Sequence, residues 1–204
     1  MGGWGIRELE IFNRALATKL LWRVFFHHGL WSLVMRKKYL KGIDAVSWIR
    51  KDSVIFTKAS IVWRNLLSSL LVIKIWAAWK VGSGQRIMLG LDPFVGGGSY
   101  YKLSSNLVNI LHSKGLYALA HIKKEDVTSP WLTVQNLNIS GSNAEEWSRF
   151  ISGLHQNAVS LSDNSDKLVW SWNKDCGEVK VKEAYDALIL HKVEVDPKWW
   201  FSLI

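Results

Sequence analysis

The segment RELEIFNRALATKLLWRVFFH, residues 7–27, decides the fold class of this chain. Its large apolar residues recur at steps of three and four positions, and they are Leu9, Phe12, Leu16, Leu20 and Val24. This spacing places them on one stripe of an α-helix, with Arg14 and Thr18 on the opposite side. Gly29 follows at a position where helices commonly end. The sequence therefore predicts a long amphipathic helix over residues 7–27.

Helical patterns continue along the chain. Four further segments predict helices, at residues 30–41, 60–75, 143–151 and 182–191. The segment at 60–75 is nearly all apolar, so we expect it to be buried. Asn143 with Glu146 three residues later is a helix-start pattern.

Two short β-hairpins interrupt this helical pattern. They are predicted near residues 79–89, with a turn at the GSG of 82–84, and near 168–181, with a turn at 175–177. The GGGS run at 96–99 is the best candidate linker. The predicted fold class is mainly α with small β-hairpins (α+β). We expect a helical region over 1–95 that ends in a hairpin, and a mixed α+β region over 96–204.

The charge of the chain favours a polyanionic partner. The 204 residues include 26 Lys and Arg against 17 Asp and Glu, a net charge of +9. Nucleic acid is the partner that such a charge favours, although solubility alone also explains it.

Cys176 is the single cysteine, which excludes an internal disulfide and a zinc site built from several cysteines. The apolar stretch at 61–79 is interrupted by Arg64 and Lys74, and no signal peptide is visible, so we expect an intracellular protein outside the membrane.

The sequence carries no pattern for catalysis. Polymerase chemistry needs carboxylates that hold two Mg²⁺ ions, and this chain contains no Asp-Asp dipeptide. The GSG at 82–84 lacks the third glycine of a dinucleotide fingerprint, and no GK[ST] triplet occurs. The histidines lack metal-binding spacing, and no serine stands out as a nucleophile. We therefore predict no catalytic, cofactor-binding or metal-binding residues.

The densest basic cluster is the candidate binding site. It consists of Arg36, Lys37, Lys38 and Lys41, close in sequence to Trp31 and Tyr39. Lysines and arginines in such a cluster bind phosphates without reading sequence, in a salt-sensitive way. A solvated helix face explains the same pattern about equally well.

Several ordered motifs together resemble a known family. GGWGIREL at 2–9 is followed by FNRAL at 12–16, by Trp31, Val34 and Lys38-Tyr39, and by Ser60 with Trp63-Arg64. WKVGSG comes at 79–84, and Trp170, Val181-Lys182 and Ala184-Tyr185 complete the series. These motifs resemble, in the same order, GGLGIR-(D/E)-L, FN-x-ALL, W-x-x-V-x-x-x-KY, S-x-x-W-(K/R), W-x-VGNG and D-x-x-x-W-x-x-x-x-DG-x-FSVKSAY of plant LINE-type (non-LTR) retrotransposon reverse transcriptases. Ser83 stands where that family has Asn, Cys176 where it has Asp and Val179 where it has Phe.

The resemblance implies a place and a role for the chain. In that family these motifs lie between the polymerase thumb and a C-terminal zinc-binding region, so the catalytic aspartates and the zinc ligands are expected outside this sequence. The implied function is a non-catalytic connector that joins those two regions and contacts RNA or DNA backbone through the basic cluster. The alternative is a stand-alone helical module, derived from such an element, that binds another protein. A hydrolase with an unassigned nucleophile is a third reading.

Overall fold

The computed structural model describes residues 8–51, 59–95, 101–124, 130–173 and 176–190. It is mainly helical with one small antiparallel sheet, so the predicted fold class is confirmed. The helices are α1 (Leu9–Phe26), α2 (Leu30–Met35), α3 (Ala45–Ile49), α4 (Ile61–Leu67), α5 (Leu70–Trp76), α6 (Ser105–Ser113), α7 (Val134–Leu137), α8 (Ser142–Gln156) and α9 (Val181–Leu190). A π-helical turn, Arg36–Leu40, extends α2, and a 3-10 turn covers Leu119–Ile122. The strands are β1 (Ala77–Lys80) and β2 (Lys167–Trp170).

The chain forms two compact units. The helical unit combines Met1–Trp76 with Trp172–Ile204, and the central unit is Ala77–Ser171. The predicted division between 95 and 96 does not follow these packing units, and the GGGS run lies outside the described residues. The position of a boundary between independently folding domains stays a prediction.

In the helical unit, α1 packs against α9, α4, α5 and α2. The face that α1 buries includes Ala15, Ala17 and Leu21, and α9 buries Ala184 and Ala187. Both helices therefore bury alanines among their packed residues.

The predicted stripe of α1 is buried only in part: Val24 is fully buried and Phe12 is half-buried, but the leucines are not buried. Leu9 is 75% exposed, and Leu16 and Leu20 are also exposed. Thr18, predicted on the polar side, is fully buried and donates its hydroxyl hydrogen to the Arg14 carbonyl at 2.8 Å. This hydrogen bond satisfies the hydroxyl inside the helix, so the threonine is tolerated in the core.

The segment predicted as one buried helix at 60–75 is two helices. The Ser68 hydroxyl donates to the Asn65 carbonyl at 2.7 Å, and the break between α4 and α5 falls at Ser68 and Ser69. The prediction of full burial is wrong at the start of α4, where Ile61 and Val62 are exposed, and in α5, where Leu71 and Ile75 are exposed.

Large aromatic rings fill the core. Six tryptophans are among the largest fully buried side chains, namely Trp48, Trp63, Trp79, Trp131, Trp147 and Trp170. In the helical unit, Tyr39 stacks on Trp63 with ring centroids 4.4 Å apart and planes 3° apart. The Trp48 ring lies edge-on to Trp63 at 5.9 Å. This stack fixes the π-helical turn against α4.

The central unit contains the sheet. β1 and β2 each begin one of the two predicted hairpins, but they pair with each other, from Ala77 opposite Trp170 to Lys80 opposite Lys167. In the described residues, the segments expected as the return strands of the two hairpins form no strand with them. The sheet is therefore built from long-range pairing.

Candidate nucleic-acid interface

The predicted basic cluster lies on an unusual turn. Arg36–Leu40 is π-helical, and the Lys41 N–H donates to the Arg36 carbonyl at 3.2 Å. Lys41 then adopts the left-handed conformation with φ of 51°, and Gly42 follows with φ of 83°. π-Helical turns are rare in proteins, and those that occur are often found at functional sites. Left-handed backbone is unfavourable for a residue with a Cβ. The cluster is therefore held in a conformation that its sequence does not favour locally.

Arg36 differs from the other three residues of the cluster. Its guanidinium Nη1 donates to the Phe25 carbonyl at 3.3 Å, and Ser32 donates its hydroxyl hydrogen to the Arg23 carbonyl at 3.0 Å. Both bonds satisfy carbonyl groups in the last turn of α1, where a positive charge also suits the helix dipole. Arg36 therefore fixes α2 against the end of α1.

Tyr39 is not available to a ligand. Its side chain is buried, and its hydroxyl is 2.8 Å from the Ser60 hydroxyl. The Ser60 hydroxyl lowers the pKa of Tyr39, and burial opposes that shift. Tyr39 and Leu40 face the core, whereas the lysines on either side of them are exposed.

Lys37, Lys38 and Lys41 are exposed. The Lys38 ammonium lies 5.3 Å from the centroid of the Tyr39 ring. The nearest acidic residue in sequence, Asp44, accepts the backbone N–H of Ser47 at 2.9 Å and so caps α3. The turn thus presents three lysines to solvent, and their role in binding stays a prediction.

The GSG loop of the central unit contains a carboxylate that sequence reasoning missed. The N–H groups of Gly82 and Gly84 each donate to Asp166 Oδ1 at 2.8 Å, and Arg86 N–H donates to Oδ2 at 2.9 Å. Burial by itself would raise the pKa of Asp166, but the three N–H groups together with the Ser83 hydroxyl outweigh it, and the pKa is lowered. The loop already holds an anion of its own chain, so these N–H groups do not form a phosphate cradle.

A sequence signal for Asp166 exists. It stands four residues before Trp170, at the aspartate of the D-x-x-x-W pattern, while Gly82 and Gly84 belong to the W-x-VGNG pattern. A Cβ on Gly82 would lie 2.3 Å from the Asn164 carbonyl oxygen, so the loop approaches the β2 side closely. The two sequence motifs therefore supply the two parts of one structural feature, the loop at 82–86 and the carboxylate that it binds.

Other chemistry is sparse in the part of the chain that the structure describes. There, no three His, Cys, Asp or Glu side chains come together as a metal site. Cys176 is exposed, and the Asn173 amide donates to its sulfur at 3.2 Å. Among the described helices, none combines the length and the apolar character that crossing a bilayer requires.

Comparison with known proteins gives a similarity along most of the chain. The chain is 26% identical over 204 residues to an Arabidopsis thaliana protein named "Putative ribonuclease H protein". The alignment covers 94% of this chain and 29% of the relative, so the chain spans less than a third of the relative's length. No protein-family model matches, and no solved structure matches. The similarity supports a retroelement-related origin.

Proposed function

We propose that this chain is a non-catalytic segment of a LINE-type retrotransposon reverse transcriptase that contacts the backbone of RNA or DNA. In this role it connects the polymerase region with the C-terminal zinc-binding region of the parent protein. Two findings support the proposal: the ordered motifs of the sequence, and the similarity along 94% of the chain to the Arabidopsis protein named for ribonuclease H.

The observation that carries the nucleic-acid contact is the π-helical turn with its exposed lysines. Lys37, Lys38 and Lys41 project from backbone that is π-helical or left-handed. Local strain of this kind persists where the surrounding structure over-determines it, and it clusters at functional sites. We assign phosphate contact to these three lysines and a positioning role to Arg36, whose guanidinium is bound to the Phe25 carbonyl.

The absence of catalysis is part of the same proposal. The sequence has no Asp-Asp pair for two-metal chemistry. We therefore expect the full 204-residue chain to show neither primer extension on an RNA template nor cleavage of an RNA·DNA hybrid. Either activity, retained after removal of contaminating enzymes, would contradict the proposal.

A salt titration tests the backbone contact. We expect fluorescently labelled RNA and DNA to bind the full chain with an affinity that falls linearly on a logarithmic salt scale. Replacing Lys37, Lys38 and Lys41 together by glutamine should reduce that slope by about 2 to 3, since each phosphate contact contributes about 0.9.

A matched variant controls for net charge. Three exposed lysines of the central unit are replaced by glutamine together, namely Lys102, Lys114 and Lys123. This variant has the same net charge as the first, and we expect it to keep the slope of the unchanged protein. Equal slopes for the two variants would refute a localised site. An absence of binding at low salt would favour the protein-interaction alternative.

A further inference from the structure

The outer face of α2 is apolar and leads directly into the lysines. We call the set Leu30, Trp31, Leu33, Val34, Lys37 and Lys38 the α2 ridge. Leu30 is 80% exposed, Val34 54%, Leu33 44% and Trp31 43%. The opposite side of the same segment faces the core, through the buried side chains of Ser32, Met35, Tyr39 and Leu40. The orientation of the ridge is thus fixed by packing.

The two lysines of the ridge follow its apolar side chains at helical spacing. Leu33 precedes Lys37 by four residues, and Val34 precedes Lys38 by four. Residues four apart lie next to each other on a helix surface. Trp31 lies three residues before Val34, so the indole borders the same strip. Each lysine therefore has an exposed apolar neighbour about one helical turn away.

We infer that the α2 ridge binds single-stranded nucleic acid, with unpaired bases on Trp31, Leu33 and Val34 and phosphates on Lys37 and Lys38. This inference rests on the proposed function and names its ligand class. In a duplex the faces of the bases are stacked on each other, and the accessible groups are mainly phosphates. Exposed leucine and valine side chains make no favourable contact with phosphates. A single strand offers both an anionic backbone and apolar base faces, and stacking on an aromatic ring tolerates any sequence.

Charge complementarity decides between this ligand and others. The ridge carries two lysines and no acidic residue, and Lys41 adds a third positive charge where the helix ends. A polyanion with apolar faces matches that combination. A protein helix with acidic and aliphatic side chains has related chemistry. A ridge that binds such a helix would show no preference for single-stranded over duplex nucleic acid.

The experiment compares four ligands on the full chain at one salt concentration: a single-stranded RNA, the DNA strand of the same sequence, the duplex of that DNA, and an abasic strand with the same phosphates. We expect both single strands to bind more tightly than the duplex and the abasic strand. Trp31→Ala should weaken single-strand binding about tenfold and leave duplex and abasic binding unchanged. Trp31→Phe should restore most of the loss.

The control variant is Tyr117→Ala, which removes an aromatic ring of the central unit that is 52% exposed. It should leave every affinity unchanged, and thermal unfolding of each variant checks that it is folded. Equal binding of single strand, duplex and abasic strand would overturn the inference and leave the proposed backbone contact standing. An equal loss for all four ligands in Trp31→Ala would also overturn it. Binding of none of the four would overturn the proposed function itself.

Discussion

At the scale of single residues, Asp166 shows how one buried side chain replaces an absent hairpin. The loop after β1 has no return strand in the described residues, so its N–H groups need another acceptor. The Asp166 carboxylate accepts three of them, from Gly82, Gly84 and Arg86. Because Asp166 immediately precedes β2, the same residue that satisfies the loop also sets the register of the sheet.

Replacing Asp166 by asparagine should destabilise the protein by about 3 kcal/mol at neutral pH. The amide group keeps one acceptor, but its NH₂ faces a backbone N–H, and the charge-assisted bonds are lost. The free energy of unfolding, from urea titration followed by tryptophan fluorescence, measures the change. Asp163→Asn is the control, since Asp163 is exposed and close in sequence.

The unchanged protein and Asp166→Asn also test how stability depends on pH. The pKa of Asp166 is lowered in the folded state, so its stabilisation is present above the unfolded value of about 3.9 and is lost as pH falls through the folded pKa. The difference in stability between the unchanged protein and Asp166→Asn should therefore shrink below about pH 4. A difference that is constant down to the folded pKa and beyond would contradict the assignment.

At the scale of elements, the sequence predicted the existence of helices better than their faces or partners. The 3.6-residue period located α1 and α8, because periodicity is a local property. It did not identify the buried face of α1, because that face is selected by the helices that pack on it from later in the chain, α2, α4, α5 and α9. The two predicted hairpins do not form in the described residues, because β1 and β2 pair with each other across a long stretch of sequence. The basic cluster could be located from composition, but its π-helical backbone could not.

Lys41→Gly tests whether the end of the π-helical turn is strained. Glycine adopts positive φ without the Cβ penalty, so we expect the free energy of unfolding to rise by about 0.5 to 1 kcal/mol. Nucleic-acid affinity should fall at the same time, because a charge is removed. Denaturant unfolding and the binding titration measure the two effects on one protein.

Two variants separate strain from charge at this position. Lys41→Gln should lose affinity to the same extent as Lys41→Gly with no gain in stability. Ala158→Gly, at a residue with φ of 49° in the central unit, should gain stability with no loss of affinity. A loss of stability in Lys41→Gly would show that the left-handed residue is not strained.

At the scale of the whole molecule, the ends of the sequence belong together and its middle forms a separate unit. α1 near the start packs against α9 near the end, in the helical unit. Residues before and after the GGGS run share the central unit, where the Leu103 N–H donates to the Gly90 carbonyl at 3.0 Å. The Phe94 and Phe150 rings meet edge to face at 6.4 Å. Linker composition alone does not reveal such an arrangement, because it depends on which distant surfaces match.

This arrangement predicts which fragment folds. Residues 77–171 retain β1, β2, the Gly82 loop and Asp166, together with the fully buried Trp79 and Trp170. We therefore expect this fragment to unfold cooperatively, with a near-ultraviolet circular dichroism signal from its packed tryptophans. Fragments 1–95 and 96–204, cut at the predicted linker, separate β1 from β2 and the loop from its carboxylate.

Fragments 1–95 and 96–204 should therefore lack a cooperative transition when expressed singly, and Asp166→Asn should weaken fragment 77–171 by the same amount as it weakens the full chain. Since the loop and its carboxylate lie within one fragment, that equality is the sharper criterion. Cooperative unfolding of 96–204 without cooperative unfolding of 77–171 would instead place the domain boundary at the GGGS run. In that case the contacts between Asp166 and the loop would form only after other parts of the chain have folded, and they would not be what stabilises the central unit.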